Sequence, residues 1–324
     1  MTALLDVRGL SLDFETEAGD AKVLDQVSFS IAESEVFGLV GETGCGKTVT
    51  ALTVLRLLPP NARIRSGEVL FLGEDLLVKP DAEMDRIRGI RISMVFQDPA
   101  TSLNPVYPVG EQIARVIMTH EGGKREEAET RAVDLFRRVR LPDPANVLRR
   151  YPHELSGGMQ QRVMIAMALA CHPRLLIADE PTTAVDVTIQ AQILDLLMEL
   201  RREFKLSVLL ITHNLGIVAE TCDRVGVMYA GTIAEIASTR ELFREPLHPY
   251  TQRLLKALPR SDARGRPLAS IPGMVPSLMD PPSGCRYHPR CEFRMATCAN
   301  RRPELMEHRS DHRASCLLYE GVKE

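Results

Sequence analysis

Val36-Phe37-Gly38-Leu39-Val40-Gly41-Glu42-Thr43-Gly44-Cys45-Gly46-Lys47-Thr48 is the stretch on which the fold turns. Its first five residues are apolar or glycine without alternation, which predicts a strand buried on both faces of a parallel sheet. The turn Gly41-x4-Gly46-Lys47-Thr48 follows at once, and residues 47–58 then take helical periodicity. Strand, glycine turn and helix form the context in which this spacing makes a phosphate-binding loop. The backbone of Gly41, Glu42, Thr43, Gly44, Cys45 and Gly46 can curl around phosphates, and the helix N-terminus adds partial positive charge. Lys47 is placed to reach the β- and γ-phosphates, and the Thr48 hydroxyl to bind Mg2+. The plainer reading is a glycine-rich turn that merely opens a helix, and the flanking strand weighs against it. Cys45 stands where only its backbone is needed, so a small-residue substitution explains it more simply than a redox role.

Outward from this stretch, short apolar runs at residues 92–96, 175–178 and 208–211 read as further buried parallel strands. Helical periodicity follows several of them, for example at residues 188–204, which predicts an α/β core with helices on both faces. Residues 3–14, 23–31 and 68–72 alternate more and are separated by turn residues, so they predict an antiparallel flanking sheet. Between Asp98 and Tyr151 the texture changes to polar, charged helices such as residues 124–139, an insertion into the core. After Glu245 prolines accumulate (Pro246, Pro249, Pro259, Pro267, Pro272, Pro276, Pro281, Pro282), which predicts an extended connector to a cysteine-bearing tail.

At 324 residues the chain can bury one large core or two, and 44% hydrophobic with 26% charged residues is ordinary for a globular protein. A net charge of -3 argues against a nucleic-acid partner. No apolar run approaches the roughly 18 residues of a membrane span, and the N-terminus lacks a signal-peptide pattern. The expectation is a cytosolic chain whose membrane role, if any, comes through partners.

Chemistry-bearing residues gather at strand ends. Asp179 closes the run 175–178 and Glu180 follows it. Beside a phosphate loop, the first carboxylate is placed to hold Mg2+ and the second to polarise an attacking water; alone, the two acids would be a solvated turn. Gln97 follows the run 92–96 and His213 the segment 208–212, and both would point toward the γ-phosphate, although a lone strand-end histidine is usually structural. A third glycine-bearing stretch, Leu155-Ser156-Gly157-Gly158-Met159-Gln160-Gln161-Arg162, opens a helix with a serine and two small residues, a second anion-binding nest.

Taken in order, these motifs resemble an ABC-transporter ATP-binding subunit: Walker A (Gly41 to Thr48), Q-loop (Gln97), signature (Leu155 to Gln161), Walker B with its glutamate (Leu175 to Glu180), D-loop (Thr183-Ala184-Val185-Asp186) and H-loop (His213). The resemblance covers about residues 3–245. It implies a P-loop α/β ABC ATPase core with an antiparallel β subdomain and a helical subdomain at about 98–158, within a cassette at 1–245. It implies ATP and Mg2+ as ligands, with Mg2+ held through Thr48, Gln97 and Asp179. Glu180 is then the general base, His213 holds the γ-phosphate and water, and Gln97 senses Mg2+. It also implies a head-to-tail dimer in which Ser156, Gly157 and Gly158 complete the site of a second ATPase subunit, with Asp186 in the D-loop. Phe14 lies where the family often stacks an aromatic on adenine; a hydrophobic strand residue is an equally good reading. Ser34-Glu35 replaces the usual Gly-Glu, and Cys45 the common Ser, without removing a catalytic group.

The stretches Pro246 to Leu255 and Gly284 to Cys291 resemble the C-terminal extension of dipeptide/oligopeptide importer ATPases, placing an extension at 246–324. This implies peptide cargo, with nickel the competing substrate. The implied partners are two transmembrane permease subunits, a second identical or paralogous ATPase, and an extracytoplasmic peptide-binding protein. The implied location is the cytoplasmic face of the membrane. The rival classes are a soluble ABC-type ATPase acting on DNA or ribosomes and a metal-dependent redox or regulatory module.

Cys285, Cys291, Cys298 and Cys316 are spaced Cys-x5-Cys-x6-Cys-x17-Cys. In a reducing compartment such a cluster is a metal site sooner than a disulfide framework. Four thiolates suit a [4Fe-4S] cluster or tetrahedral zinc. The absence of a tight Cys-x2-4-Cys pair, together with the importer resemblance, favours iron–sulfur, while nearby His288 and His312 keep zinc as the alternative.

Overall fold

The computed structural model describes residues 3–182, 186–258 and 271–320. Three residues of the D-loop (Thr183, Ala184, Val185) and the connector prolines Pro259 and Pro267 lie outside the described residues. The described residues form two compact units. The first takes those of Met1–Ala32, Val36–Leu77 and Thr212–Glu324, the second Glu33–Glu35 and Val78–Ile211.

In the first unit, an antiparallel sheet runs in the order Gly19–Ile31, Leu5–Thr16, Ala62–Phe71, Glu74–Asp75. Leu5 faces Ile31 on one side and Phe71 on the other, and Leu5, Val7, Leu10 and Leu12 are buried. Register shifts near residues 7–12 interrupt both ladders, the bulges that let a long strand bend over a core. This is the expected flanking sheet, longer at 19–22 and 62–67, where polar residues hide the strand period.

The strand Val36–Val40 is buried at every position and pairs in parallel with Arg224–Tyr229. The latter continues antiparallel into Thr232–Ser238, then His312–Ala314 and Met306–Arg309. The tail therefore joins by backbone hydrogen bonds the sheet that carries the phosphate loop.

The connector expected after Glu245 is not extended throughout: Pro249–Lys256 is a helix. Proline at the first helical position costs no hydrogen bond, and the His248 Nδ1 accepts from the Tyr250 amide at 3.1 Å as a cap. The first core helix is shorter than its periodicity suggested, Lys47–Val54.

In the second unit, Ile92–Val95, Leu175–Asp179 and Ser207–Ile211 pair in parallel, with Asp179 beside Ile211. Among its helices are Val109–Glu121, Arg125–Arg138, Gly157–Ala168 and Val187–Phe204. Arg125–Arg138 buries Ala128, Ala132, Leu135 and Phe136, the i, i+4, i+7, i+8 stripe of an amphipathic helix. Its acids Glu126 and Glu127 lie in the first turn and Arg137 and Arg138 in the last, so the charges complement the helix dipole.

Candidate functional site

In the first unit the phosphate loop leaves Val40 and closes on the helix Lys47–Val54. Gly46 caps that helix with φ 103, a conformation that favours glycine. At Gly41 a Cβ would lie 2.1 Å from the Met228 carbonyl oxygen, so only glycine lets the loop pass. The buried Lys47 donates through Nζ to the carbonyls of Gly41 (2.8 Å) and Glu42 (3.1 Å). The ammonium thus sits inside the ring of its own loop, with Thr43, Gly44 and Thr48 exposed at its rim. Cys45 is buried, and burial pushes its thiol up; a protonated, enclosed thiol is a packing group, in line with the substitution reading.

Glu42 carries contacts that sequence reasoning passed over. Its amide donates to the Tyr250 hydroxyl at 3.0 Å, and its carboxylate accepts from Arg290 at 2.8 and 3.2 Å. The partners lie more than 200 residues away in sequence, and no local pattern signals them. Phe14 is half-buried on its strand, between Ala21 and Ala62. His213 is exposed at a turn held by the Asn214 amide donating to Thr212 Oγ1 at 3.1 Å.

In the second unit Asp179 is buried at its strand end. Glu180 extends the sheet by donating its amide to the Ile211 carbonyl at 2.8 Å, yet has φ 47. A non-glycine residue there carries backbone strain on the order of 1–3 kcal/mol. The Gln97 Nε2 donates to Glu180 Oε2 at 3.2 Å, so two residues predicted from separate strands meet. Ser156 caps Gly157–Ala168 by accepting from the Met159 amide at 3.4 Å. Ser156 and Gly157 are exposed, leaving this helix N-terminus open to an anion. Asp186 caps Val187–Phe204 through the Ile189 amide at 3.0 Å.

Cys285, Cys291, Cys298 and Cys316 line one cavity of about 20 Å³ with Tyr287, His288 and Phe293. All four are free thiols. Burial pushes Cys285 up to about 11 and Cys316 up to about 12, and raises Cys291 as well. The donor chemistry suits a thiolate-bound metal group. The cavity is water-sized, however, and among the described residues no three or more histidine, cysteine or acidic groups are arranged to hold a metal ion. His288 lines the cavity, its Nδ1 at 2.9 Å from the Cys285 carbonyl. His312 is engaged elsewhere, its Nε2 at 2.6 Å from the buried Glu235 carboxylate.

A phosphate loop on a buried strand, with acids closing a second parallel strand and a serine-capped glycine helix, defines a P-loop ATPase of the ATP-binding-cassette class. The family model described as ABC transporter matches residues 24–183, and that of the oligopeptide/dipeptide transporter C-terminal region matches residues 234–298. A probable peptide ABC transporter ATP-binding protein of Sinorhizobium fredii is 51% identical over 97% of this chain and 94% of its own. The dipeptide transport ATP-binding protein DppD of Bacillus subtilis is 46% identical over 98% and 95%. The oligopeptide transport ATP-binding protein OppD of Salmonella typhimurium is 48% identical over 93% and 89%. Among solved structures, a dimeric ATP-binding cassette in a post-hydrolysis state with ADP and Pi superposes with TM-score 0.66 at 26% identity, covering 73% of this chain and 99% of that one. The chain belongs to the ABC transporter ATP-binding subunits, in the branch that carries the oligopeptide/dipeptide C-terminal region, and is an ABC-type ATPase.

Proposed function

We propose that this ATPase energises peptide import through a membrane ABC transporter. The observation that carries the reading is near-full-length similarity, through the C-terminal region, to peptide-transport ATP-binding proteins. No described helix is long and apolar enough to cross a membrane, so two permease subunits would supply the pathway. A peptide-binding protein would deliver cargo, and a second ATPase subunit would complete each site. The location that follows is the cytoplasmic face of the membrane. A groove of about 750 Å³ lined by Ile90, Met94, Phe96, Leu103, Met164 and Met167 offers apolar surface to a permease segment.

The proposed division is a cassette at 1–245, with its helical subdomain at about 98–158, and an extension at 246–324. In the proposed mechanism the loop Gly41–Thr48 cradles the phosphates of ATP and Lys47 turns from its own carbonyls to the β- and γ-oxygens. Thr48, Gln97 and Asp179 offer hydroxyl, amide and carboxylate oxygens, a donor set that suits a hard cation; Mg2+ held there would neutralise phosphate charge. Glu180 takes the proton of the attacking water, Gln97 orients Glu180, and His213 holds the γ-phosphate and the water. Ser156, Gly157 and Gly158 meet the γ-phosphate of the partner's ATP, Asp186 lies at the dimer junction, and Phe14 stacks on adenine. On their donor chemistry and the importer resemblance, the four tail thiols would hold a [4Fe-4S] cluster, with zinc the alternative. This would need them deprotonated and the water-sized cavity between them rearranged to take the group, and it would tie four points of a proline-rich tail together.

Uptake of labelled peptides by cells carrying Glu180→Gln in place of the native chain tests the assignment. Loss of peptide uptake supports it, whereas intact peptide uptake with lost nickel uptake replaces the cargo. Co-purification with ribosomes or DNA instead of permeases would overturn the transport reading. Iron content and visible absorption after anaerobic purification decide the cluster, and a colourless, zinc-loaded protein removes it.

A further inference from the structure

We propose that Arg290, in the C-terminal extension, is a positioning residue for the phosphate loop, acting through Glu42. The inference rests on the reading of Gly41–Thr48 as that loop. Glu42 is its second residue, and its peptide is gripped from two directions. Lys47 Nζ binds the carbonyls of Gly41 and Glu42 from inside the loop. From outside, the Tyr250 hydroxyl accepts from the Glu42 amide at 3.0 Å, and Arg290 binds both carboxylate oxygens, Nη1 to Oε2 at 2.8 Å and Nη2 to Oε1 at 3.2 Å.

Arg290 is itself immobilised. Its Nε donates to the Pro272 carbonyl at 2.9 Å, its Nη2 to that of Ile271 at 3.2 Å, and its Nη1 to the Tyr229 hydroxyl at 3.3 Å. The guanidinium lies 5.7 Å from the centre of the Tyr229 ring. Tyr229 packs on Tyr250 and Tyr287, with ring centroids 4.7 and 5.0 Å away. The Arg290 side chain is 5% exposed and that of Glu42 27%, so water screens this pair far less than a surface one. A two-pronged guanidinium–carboxylate contact also sets direction, which a single charge cannot.

A nucleotide phosphate would compete with the carbonyls of residues 41 and 42 for the three N–H donors of Lys47. Where Lys47 turns to the phosphate its grip on that peptide loosens, and the loop then depends more on the outer grip, alongside the Cys45 amide on the Glu42 carbonyl at 3.2 Å and the Gly231 amide on the Cys45 carbonyl at 3.0 Å. A loop held in its binding shape spends less of the ligand's binding energy on ordering. Arg290 therefore lowers the cost of nucleotide binding without touching the nucleotide.

The test uses the full chain assembled with its permease subunits, measuring ADP affinity with a fluorescent analogue and the kcat and KM of ATP hydrolysis. Arg290→Ala is expected to weaken ADP binding and raise KM for ATP roughly 5- to 50-fold, with kcat within about twofold. Glu42→Gln keeps the other contacts of Arg290, and with them the docking of the tail, and is expected to give a similar KM effect. The double variant should be no worse than either single one. Arg290→Lys, which keeps charge but not the fork, should recover only part of the loss. Unchanged KM in both single variants, or additive effects in the double one, would overturn the proposal. Lys47→Ala is the control: if it too binds nucleotide normally, the phosphate-loop reading falls, whereas loss in Lys47→Ala alone removes only the role of Arg290.

Discussion

Gln97 and Glu180, 83 positions apart, share one hydrogen bond of 3.2 Å at the ends of neighbouring region 92–97 and strand Leu175–Asp179. The contact places an amide donor on the carboxylate proposed as general base, so the two residues have separable effects. Glu180→Gln is expected to keep ATP binding and lower kcat by at least about 100-fold, the contribution of a positioned base. Gln97→Ala should lower kcat less, because the carboxylate remains. Phosphate release and nucleotide binding on the same samples decide it; retention of most turnover in Glu180→Gln would remove Glu180 from the role.

Lys47 lies buried against the carbonyls of Gly41 and Glu42. Its replacement by Ala removes both the proposed phosphate contact and the inner brace of the loop. Nucleotide affinity is expected to fall by more than about tenfold, measurable by titration with a fluorescent ADP analogue.

The Ser156 cap separates folding from turnover. Ser156→Ala should cost about 0.5–2 kcal/mol through the lost cap, seen as a lower urea midpoint. Asn caps as well as Ser but is larger, so Ser156→Asn should keep stability and still depress ATPase activity if Ser156 meets a partner's phosphate. Unimpaired activity in Ser156→Asn would count against that contact.

Arg131 holds the Glu121 carboxyl below its ordinary 4.5, chiefly by hydrogen bonding, with burial opposing. Between the lowered and the ordinary value the unfolded chain binds more protons. The contribution is therefore complete above pH 4.5 and lost as pH falls through the lowered value. Both side chains are 37% exposed, so screening limits the pair to a few tenths of a kcal/mol. Glu121→Gln should slightly flatten the acid limb of stability against pH, read by urea unfolding from pH 6 to about pH 3.5.

Much of this was legible in the linear chain. The buried strand Val36–Val40, the loop Gly41–Thr48, the acids Asp179 and Glu180 and the Ser156 cap are local patterns. Chain stiffness and strand or helix periodicity act over a few residues, so a few residues suffice to specify them. The hairpin Met306–Arg309 with His312–Ala314 was not legible, because short strands with exposed positions leave no period. Nor was the helix Pro249–Lys256, since the proline that reads as a breaker stands where a helix tolerates it.

What the residues determined unaided is therefore the class of site: a glycine loop, a lysine, and carboxylates at strand ends. Tertiary structure alone decided how that loop is held. It brought Tyr250 and Arg290 onto Glu42, engaged His312 with Glu235 instead of the cysteines, and turned four scattered thiols toward one cavity. The reason is physical. Such contacts depend on where the sheet of Val36–Val40 and Arg224–Tyr229 carries the tail, and a salt bridge across 248 positions has no periodicity to announce it.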